Sequence, residues 1–295
     1  MRSGAVLALL AALLGGTATG HAQAAPPVPL LPNLPASVRA AGMAGASVAM
    51  PGYAAVVFDN PSAIGPIRAL SLEAAYADLP GDRWYTTGAA AVRAGPAALG
   101  GGYRYLRFQD EASPVRDNLQ WVGAGVWRLS GVNLGASAKY VSVEDSSGTV
   151  YRTLTQDAGV TLAFFDIAAI GLAFQNLGRT PLTGERLELP SRTHLGFSLN
   201  LVDTYSTGRL LATFETIWTD GAARRTLLGL EGGAVLKGVG LIARIGHGAQ
   251  PEASDGGKTT YGASIVLSRA RLDYAYQPRS AVGRDVHLVG IRWTP

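Results

Sequence analysis

The stretch Arg209-Leu210-Leu211-Ala212-Thr213-Phe214-Glu215-Thr216-Ile217-Trp218 decides the fold class. One alternating set reads Leu210, Ala212, Phe214, Thr216, Trp218; the other reads Arg209, Leu211, Thr213, Glu215, Ile217. Successive side chains of a β-strand point to opposite faces. The run is therefore a strand with one apolar face and one face that carries charge. Its length fits the roughly 9–11 residues of a tilted strand that crosses a bilayer, not the roughly 5–6 of a soluble sandwich.

The same pattern repeats outward in both directions from about residue 69 to the end of the chain. Runs begin near Leu70, Trp84, Ala97, Leu119, Val132, Thr153, Ile167, Thr193, Leu210, Thr226, Val239, Thr260, Arg271 and Val286. The count is about fourteen, an even number, as in single-chain bacterial barrels. In 132–141, Val132, Leu134, Ala136, Ala138 and Tyr140 oppose Asn133, Gly135, Ser137 and Lys139. In 271–277, Leu272, Tyr274 and Tyr276 oppose Arg271, Asp273 and Gln277.

Connection lengths alternate as well. Phe108–Asn118, Glu144–Tyr151, Asn176–Arg192, Thr219–Arg225, Gly248–Gly257 and Gln277–Asp285 are long and polar. Gly95-Pro96, Ser130-Gly131, Phe165-Asp166, Leu236-Lys237-Gly238 and Ser268-Arg269 are tight, with Val202–Ser206 as an exception. Short turns on one side and longer loops on the other are the pattern of an outer-membrane barrel. Aromatics near run ends, among them Trp84, Tyr103, Tyr105, Trp121, Trp127, Trp218 and Trp293, suit interfacial girdles.

Composition agrees. Charged residues are 16% of the chain, below the soluble average of about 25%. The net charge of +4 comes from scattered arginines rather than a patch, which leaves no footprint for nucleic acid. There is no cysteine, hence no disulfide framework and no thiolate metal site.

The N-terminus reads differently. Arg2, the short apolar core Ala5–Leu14 and Ala22-Gln23-Ala24 make a signal peptide over 1–24, with cleavage before Ala25. Residues 25–36 form a proline-rich linker. Residues 37–66 are a small-residue segment that starts as a short helix and is broken at Pro51, Gly52, Asn60 and Pro61. Residues 67–295 form the barrel.

The segment Ser37–Ala49, followed by Asp59-Asn60-Pro61-Ser62-Ala63-Ile64-Gly65, resembles the start of the PorV/PorQ family, which is related to the FadL fatty-acid transporters. The residues that carry the likeness are Arg39, Gly42, Met43, Gly45, Ala46, Asp59, Asn60 and Pro61. Ala44 stands where the family pattern has glycine, and Ser62 is extra. The resemblance implies a fourteen-stranded barrel whose lumen is closed by a plug at 37–66. The small residues of the segment agree, because they allow close backbone packing against a wall.

Candidate chemistry is confined to charges on inner faces: Glu73, Arg104, Arg128, Lys139, Asp157, Glu215, Glu231, Arg244, Arg271, Asp273 and Arg292. They serve either a polar conduit or a salt-bridge network that holds the plug. His194, His247 and His287 have no metal or nucleophile spacing, and Gly100-Gly101-Gly102 marks a close approach inside a strand. Neither an enzyme nor a cofactor is expected. Two functions remain open: an outer-membrane route for small hydrophobic compounds, and a scaffold that works with secretion-system proteins. The partners expected are outer-membrane lipids, with a hydrophobic small molecule or secretion proteins.

Overall fold

The computed structural model describes residues 31–79, 83–107, 115–164, 167–182, 187, 189–204, 208–248, 258–278 and 285–295. Residues 1–30, where a signal peptide and the first part of a linker are expected, and parts of several connections lie outside these residues.

Fourteen antiparallel strands close into one barrel. They are β1 (Leu70–Leu79), β2 (Arg83–Ala94), β3 (Ala97–Arg107), β4 (Val115–Leu129), β5 (Val132–Asp145), β6 (Val150–Phe164), β7 (Ala168–Pro181), β8 (Arg192–Thr204), β9 (Gly208–Thr219), β10 (Arg225–Leu236), β11 (Val239–Gly248), β12 (Lys258–Leu267), β13 (Ala270–Gln277) and β14 (Val286–Trp293). Each pairs with its sequence neighbours, and β1 closes on β14 from Leu72↔Trp293 to Asp78↔His287. Closure leaves no free strand edge, which in lipid would carry unsatisfied backbone groups.

The deciding stretch lies in β9. Leu211, Thr213, Glu215 and Ile217 are buried, while Phe214 and Trp218 are exposed. In β5, Asn133, Ser137 and Lys139 are buried and Leu134 is exposed. The outer surface carries Leu72, Leu99, Leu154, Phe197, Leu230, Ile245, Leu272 and Ile291. An apolar outside around a polar inside is the surface of a barrel in a bilayer. Outer aromatics pair across strands, Trp84 with Tyr105 at 4.9 Å and Tyr103 with Trp121 at 5.4 Å.

One end of the barrel is made of turns. Lys237 and Gly238 both have positive φ, 50° and 81°, the geometry of a two-residue hairpin whose twist matches its strands. At the other end, three boundaries differ from the sequence reading. β4 starts at Val115 rather than near Leu119, and β6 at Val150 rather than near Thr153. β7 does not end at Asn176. It continues to Pro181 through two register shifts against β6, because Asn176 and Gly178 adopt φ of 60° and 56° and absorb the extra residues as bulges.

Residues 31–67 run through the barrel interior from the loop end to the turn end. A short helix, α1 (Val38–Ala41), is capped by Ser37, whose side chain accepts from the Ala40 N–H. A 3-10 turn spans Ala54–Phe58 and another Pro61–Ile64. Asn60-Pro61 therefore starts a turn instead of only breaking one. Asn60 caps it through the Ser62 N–H, and proline fits the first position because no N–H is needed there. Leu31, Leu34, Val38 and Ala41 pack with Leu79, Tyr85, Leu106, Val286 and Leu288 near the loop end. Met43, Met50, Tyr53, Val57, Phe58 and Ile64 pack with Ala89, Ala91, Ala98, Val122, Val126 and Leu211 further down.

Candidate functional site

The candidate site is the occupied interior, where the inner segment meets the wall. Two devices hold it: buried polar groups that meet its backbone, and wall glycines that let it come close.

The first polar group is an arginine-carboxylate chain. Arg39 of α1 donates from Nε and Nη2 to the two Glu231 oxygens, at 2.9 and 2.7 Å. Arg244 donates to Glu231 at 2.7 Å and approaches Asp273 at 3.3 Å. Arg271 donates to Asp273 at 2.8 Å, and Ser264 also donates to Asp273. Arg292 stands 3.1 Å from Glu73, which accepts the Ala54 N–H at 3.0 Å. Tyr53 is fully buried, with Arg39 and Arg292 at 5.5 and 4.9 Å from its ring centroid. Burial, followed by the Asp59 carboxylate, pushes the Tyr53 phenol up.

The second group centres on Glu215. Its Oε2 accepts the N–H groups of Ser47 and Val48 at 2.7 and 3.0 Å, and its Oε1 meets His194 Nδ1 at 2.7 Å. Ser47 donates its hydroxyl to Asp59 at 2.8 Å. Asn60 donates to Val48 O and Thr161, Gln175 donates to Phe58 O and Asp59 O, and Ser198 to Ala49 O. Buried backbone groups that a loop cannot pair internally are thus paired by the wall. A third group ties the wall to itself: Lys139 lies 2.8 Å from Asp157 and donates to Asn176 at 2.9 Å.

Of the charges singled out from the sequence, Arg104, Lys139, Asp157, Glu215, Glu231, Arg244 and Asp273 are buried on inner faces. Glu73, Arg271 and Arg292 are inner and slightly more open. Arg104 meets the inner segment by donating to Leu34 O at 3.0 Å and by lying 4.8 Å from the Phe58 ring centroid. Arg244 instead serves the wall. Arg128 sits at the turn end, where its Nε and Nη1 have no hydrogen-bond partner.

The motif residues pack rather than react. Met43 and Ala46 are fully buried, and Gly42 lies against Gly262. Gly45 has φ +94°, and Ala44 before it has φ 56°. Ala44 thus stands at a left-handed position, where a Cβ costs about 1–2 kcal/mol.

Apart from Gly100, where the sequence pointed to a close approach, the wall glycines were not anticipated. A methyl placed on Gly135, Gly159 or Gly171 would come within 3 Å of Ser62, Asn60 or Val48; on Gly229 or Gly246, of Met43; on Gly290, of Val38; on Gly100, of Ile64. The close fit is therefore made as much by missing side chains on the wall as by small residues in the segment. The signal was in the sequence, as glycine recurring at inner-parity positions of successive strands. His194 was also missed; its partner Glu215 lies on the next strand, and only register brings them together.

Two cavities flank the segment. One of about 50 Å³ near the loop end is bordered by Asn33, Asp59, Arg192, His194 and Glu215. Another of about 510 Å³ at the turn end is bordered by Met50, Leu211, Ile242, Arg68, Arg271 and Arg292.

These features define a closed fourteen-stranded barrel with an internally packed N-terminal segment. No family model matches the chain, and no curated protein matches it. Solved structures do. The Pseudomonas putida toluene transporter TodX superposes with a TM-score of 0.64 at 11% identity, over 88% of this chain and 98% of that one. The Ralstonia pickettii toluene transporter TbuX gives 0.59 at 13%, over 90% and 99%. A Pseudomonas aeruginosa FadL homologue gives 0.57 at 13%, over 88% and 98%. At these identities the likeness establishes the fold.

Proposed function

We propose that the protein is an outer-membrane barrel that passes small hydrophobic compounds through a lumen closed at rest by residues 37–66 acting as a plug. The observation that carries this reading is the inner segment, which spans the lumen and is held by apolar packing, hydrogen bonds and two buried charge clusters with no covalent link to the wall it faces. The toluene transporters that share the fold support the substrate class. On this reading residues 1–24 are a cleaved signal peptide, 25–36 a linker and 67–295 the barrel. The turn end faces the periplasm and the loop end the exterior.

Deleting residues 37–60 tests the plug. A folded, heat-modifiable barrel with raised single-channel conductance is expected, and uptake of a small aromatic hydrocarbon by cells should depend on the intact protein. Unchanged low conductance in a folded deletion would remove the gate from the proposal.

One observation favours the scaffold reading, in which the barrel serves protein secretion as the PorV/PorQ resemblance implies. Apolar space near the loop end is filled by the chain itself, through Leu31, Leu34, Leu187 and Leu189, all buried. Uptake that does not change on deleting the whole protein would favour that alternative.

A further inference from the structure

The turn-end cavity is bordered by an excess of positive charge, of which the inner segment engages only part, through the Tyr53 ring over Arg292. Arg271 of β13 and Arg292 of β14 are direct register partners on the inner face. Like charges placed opposite one another repel and destabilise a sheet unless something neutralises them. Asp273 takes the Nε of Arg271, and Glu73 lies beside the Nε of Arg292. That leaves Arg271 Nη2 and Arg292 Nη2 buried without a hydrogen-bond partner, on two guanidinium groups that border the cavity. Buried guanidinium N–H groups without an acceptor are costly, and their fork geometry matches a two-oxygen anion.

The remaining border sets the size and character of the guest. The space is about 510 Å³, with Arg68 at its edge and Met50, Ala169, Leu211 and Ile242 supplying apolar surface. Glu231 also borders it but is held by Arg39 and Arg244. A volume of a few hundred Å³ with apolar walls and a few convergent polar groups is the make-up of a small-molecule site.

We propose that this cavity is a binding site for a small organic oxoanion, with its carboxylate or phosphate bridging Arg271 and Arg292 and its apolar body against Met50, Leu211 and Ile242. Entry is from the turn end. The site stands whether or not hydrocarbons cross the barrel.

Benzoate and inorganic phosphate are the probes, with benzamide as the uncharged shape match of benzoate, titrated calorimetrically into the purified full-length protein in detergent. Benzoate should bind and benzamide should not. Phosphate binding as tightly as benzoate would overturn the part assigned to the apolar wall. Arg271→Gln and Arg292→Gln should each weaken benzoate about tenfold or more, the loss expected when one charge-assisted contact is removed. Arg128→Gln, at the same end but off the cavity, should leave binding unchanged. A second measurement needs no variant. Benzoate should protect Arg271 and Arg292 of the wild-type protein from an arginine-specific dicarbonyl reagent, read by mass spectrometry, with Arg128 unprotected. No benzoate binding up to its solubility limit, or binding with equal protection of all three arginines, would overturn the proposal.

Discussion

Arg39 and Glu231 stand 192 residues apart in the chain, yet a guanidinium nitrogen and a carboxylate oxygen lie 2.7 Å apart inside the barrel. The contact is bidentate and almost fully buried, and Arg244 shares the same carboxylate from the far side. It fastens the one α-helical turn of the inner segment to β10. Removing one partner of a buried pair so that a charge is left uncompensated costs about 3–5 kcal/mol. Glu231→Met takes the carboxylate from both Arg39 and Arg244, whereas Arg39→Met leaves Glu231 paired with Arg244. Glu231→Met should therefore loosen the segment strongly, and Arg39→Met less so. Amide hydrogen exchange of residues 38–58 would show it. Equal protection in wild type and Glu231→Met would mean that the pair does not hold the segment.

The wall glycines give a second expectation. Gly171→Ala places a methyl against the Val48 carbonyl, and Gly135→Ala places one against Ser62. Overpacking of this kind costs about 1–3 kcal/mol. Gly123→Ala, whose added carbon would meet nothing within 4 Å, should be neutral. Urea unfolding in a lipid or detergent host, followed by tryptophan fluorescence, separates the two cases. Equal effects at Gly171 and Gly123 would place the segment elsewhere.

Ala44 offers a gain rather than a loss. Its φ of 56° is one that glycine adopts without strain. Ala44→Gly should relieve roughly 1 kcal/mol of strain, partly offset by the greater freedom of the unfolded chain. Ala44→Val should destabilise, because a β-branched residue is poorly tolerated there. The midpoint of thermal unfolding should rank glycine first, alanine second and valine last.

The outer surface is tested by depth. Leu230 lies on the outer face of mid-β10, and Leu236 lies at the end of the same strand beside the Lys237-Gly238 turn. Arginine on the lipid face costs about 2–4 kcal/mol at the midplane and about 0–1 near an interface. Leu230→Arg should thus impair refolding into vesicles far more than Leu236→Arg. Comparable losses would show that the apolar belt does not face lipid.

Orientation can be read directly, since the chain has no cysteine of its own. Ala222→Cys sits in a loop-end connection and Arg269→Cys in a turn, both exposed. An impermeant thiol reagent on whole cells should label the first and not the second, and the reverse result would invert the topology. The loop position Thr183 lies outside the described residues and serves less well.

The sequence by itself determined the barrel. A strand writes its two faces into alternate residues, so Leu210-Leu211-Ala212-Thr213-Phe214-Glu215 carries both lipid side and inner side without reference to any distant residue. Turn pairs such as Lys237-Gly238 mark where the chain reverses, and a strand count follows by addition. The placing of Glu215 and Glu231 on the inner side is local in the same sense. What those carboxylates meet was not local. Glu215 takes the Ser47 and Val48 N–H groups 168 and 167 residues away, and no period or spacing encodes that meeting. It depends on the barrel's closure, which sets which wall face lies opposite each turn of the segment. Closure also decided that Arg244 serves Glu231 and Asp273 rather than the segment, and that Gly171 and Gly246 form the bed on which it rests. The bulges at Asn176 and Gly178 belong here too, since a left-handed residue reads as a turn until its neighbour strand shows the ladder continuing past it. The fold was legible because strand alternation and turns are short-range; the interior was decided by tertiary structure because its contacts join residues that only a closed sheet brings within hydrogen-bond reach.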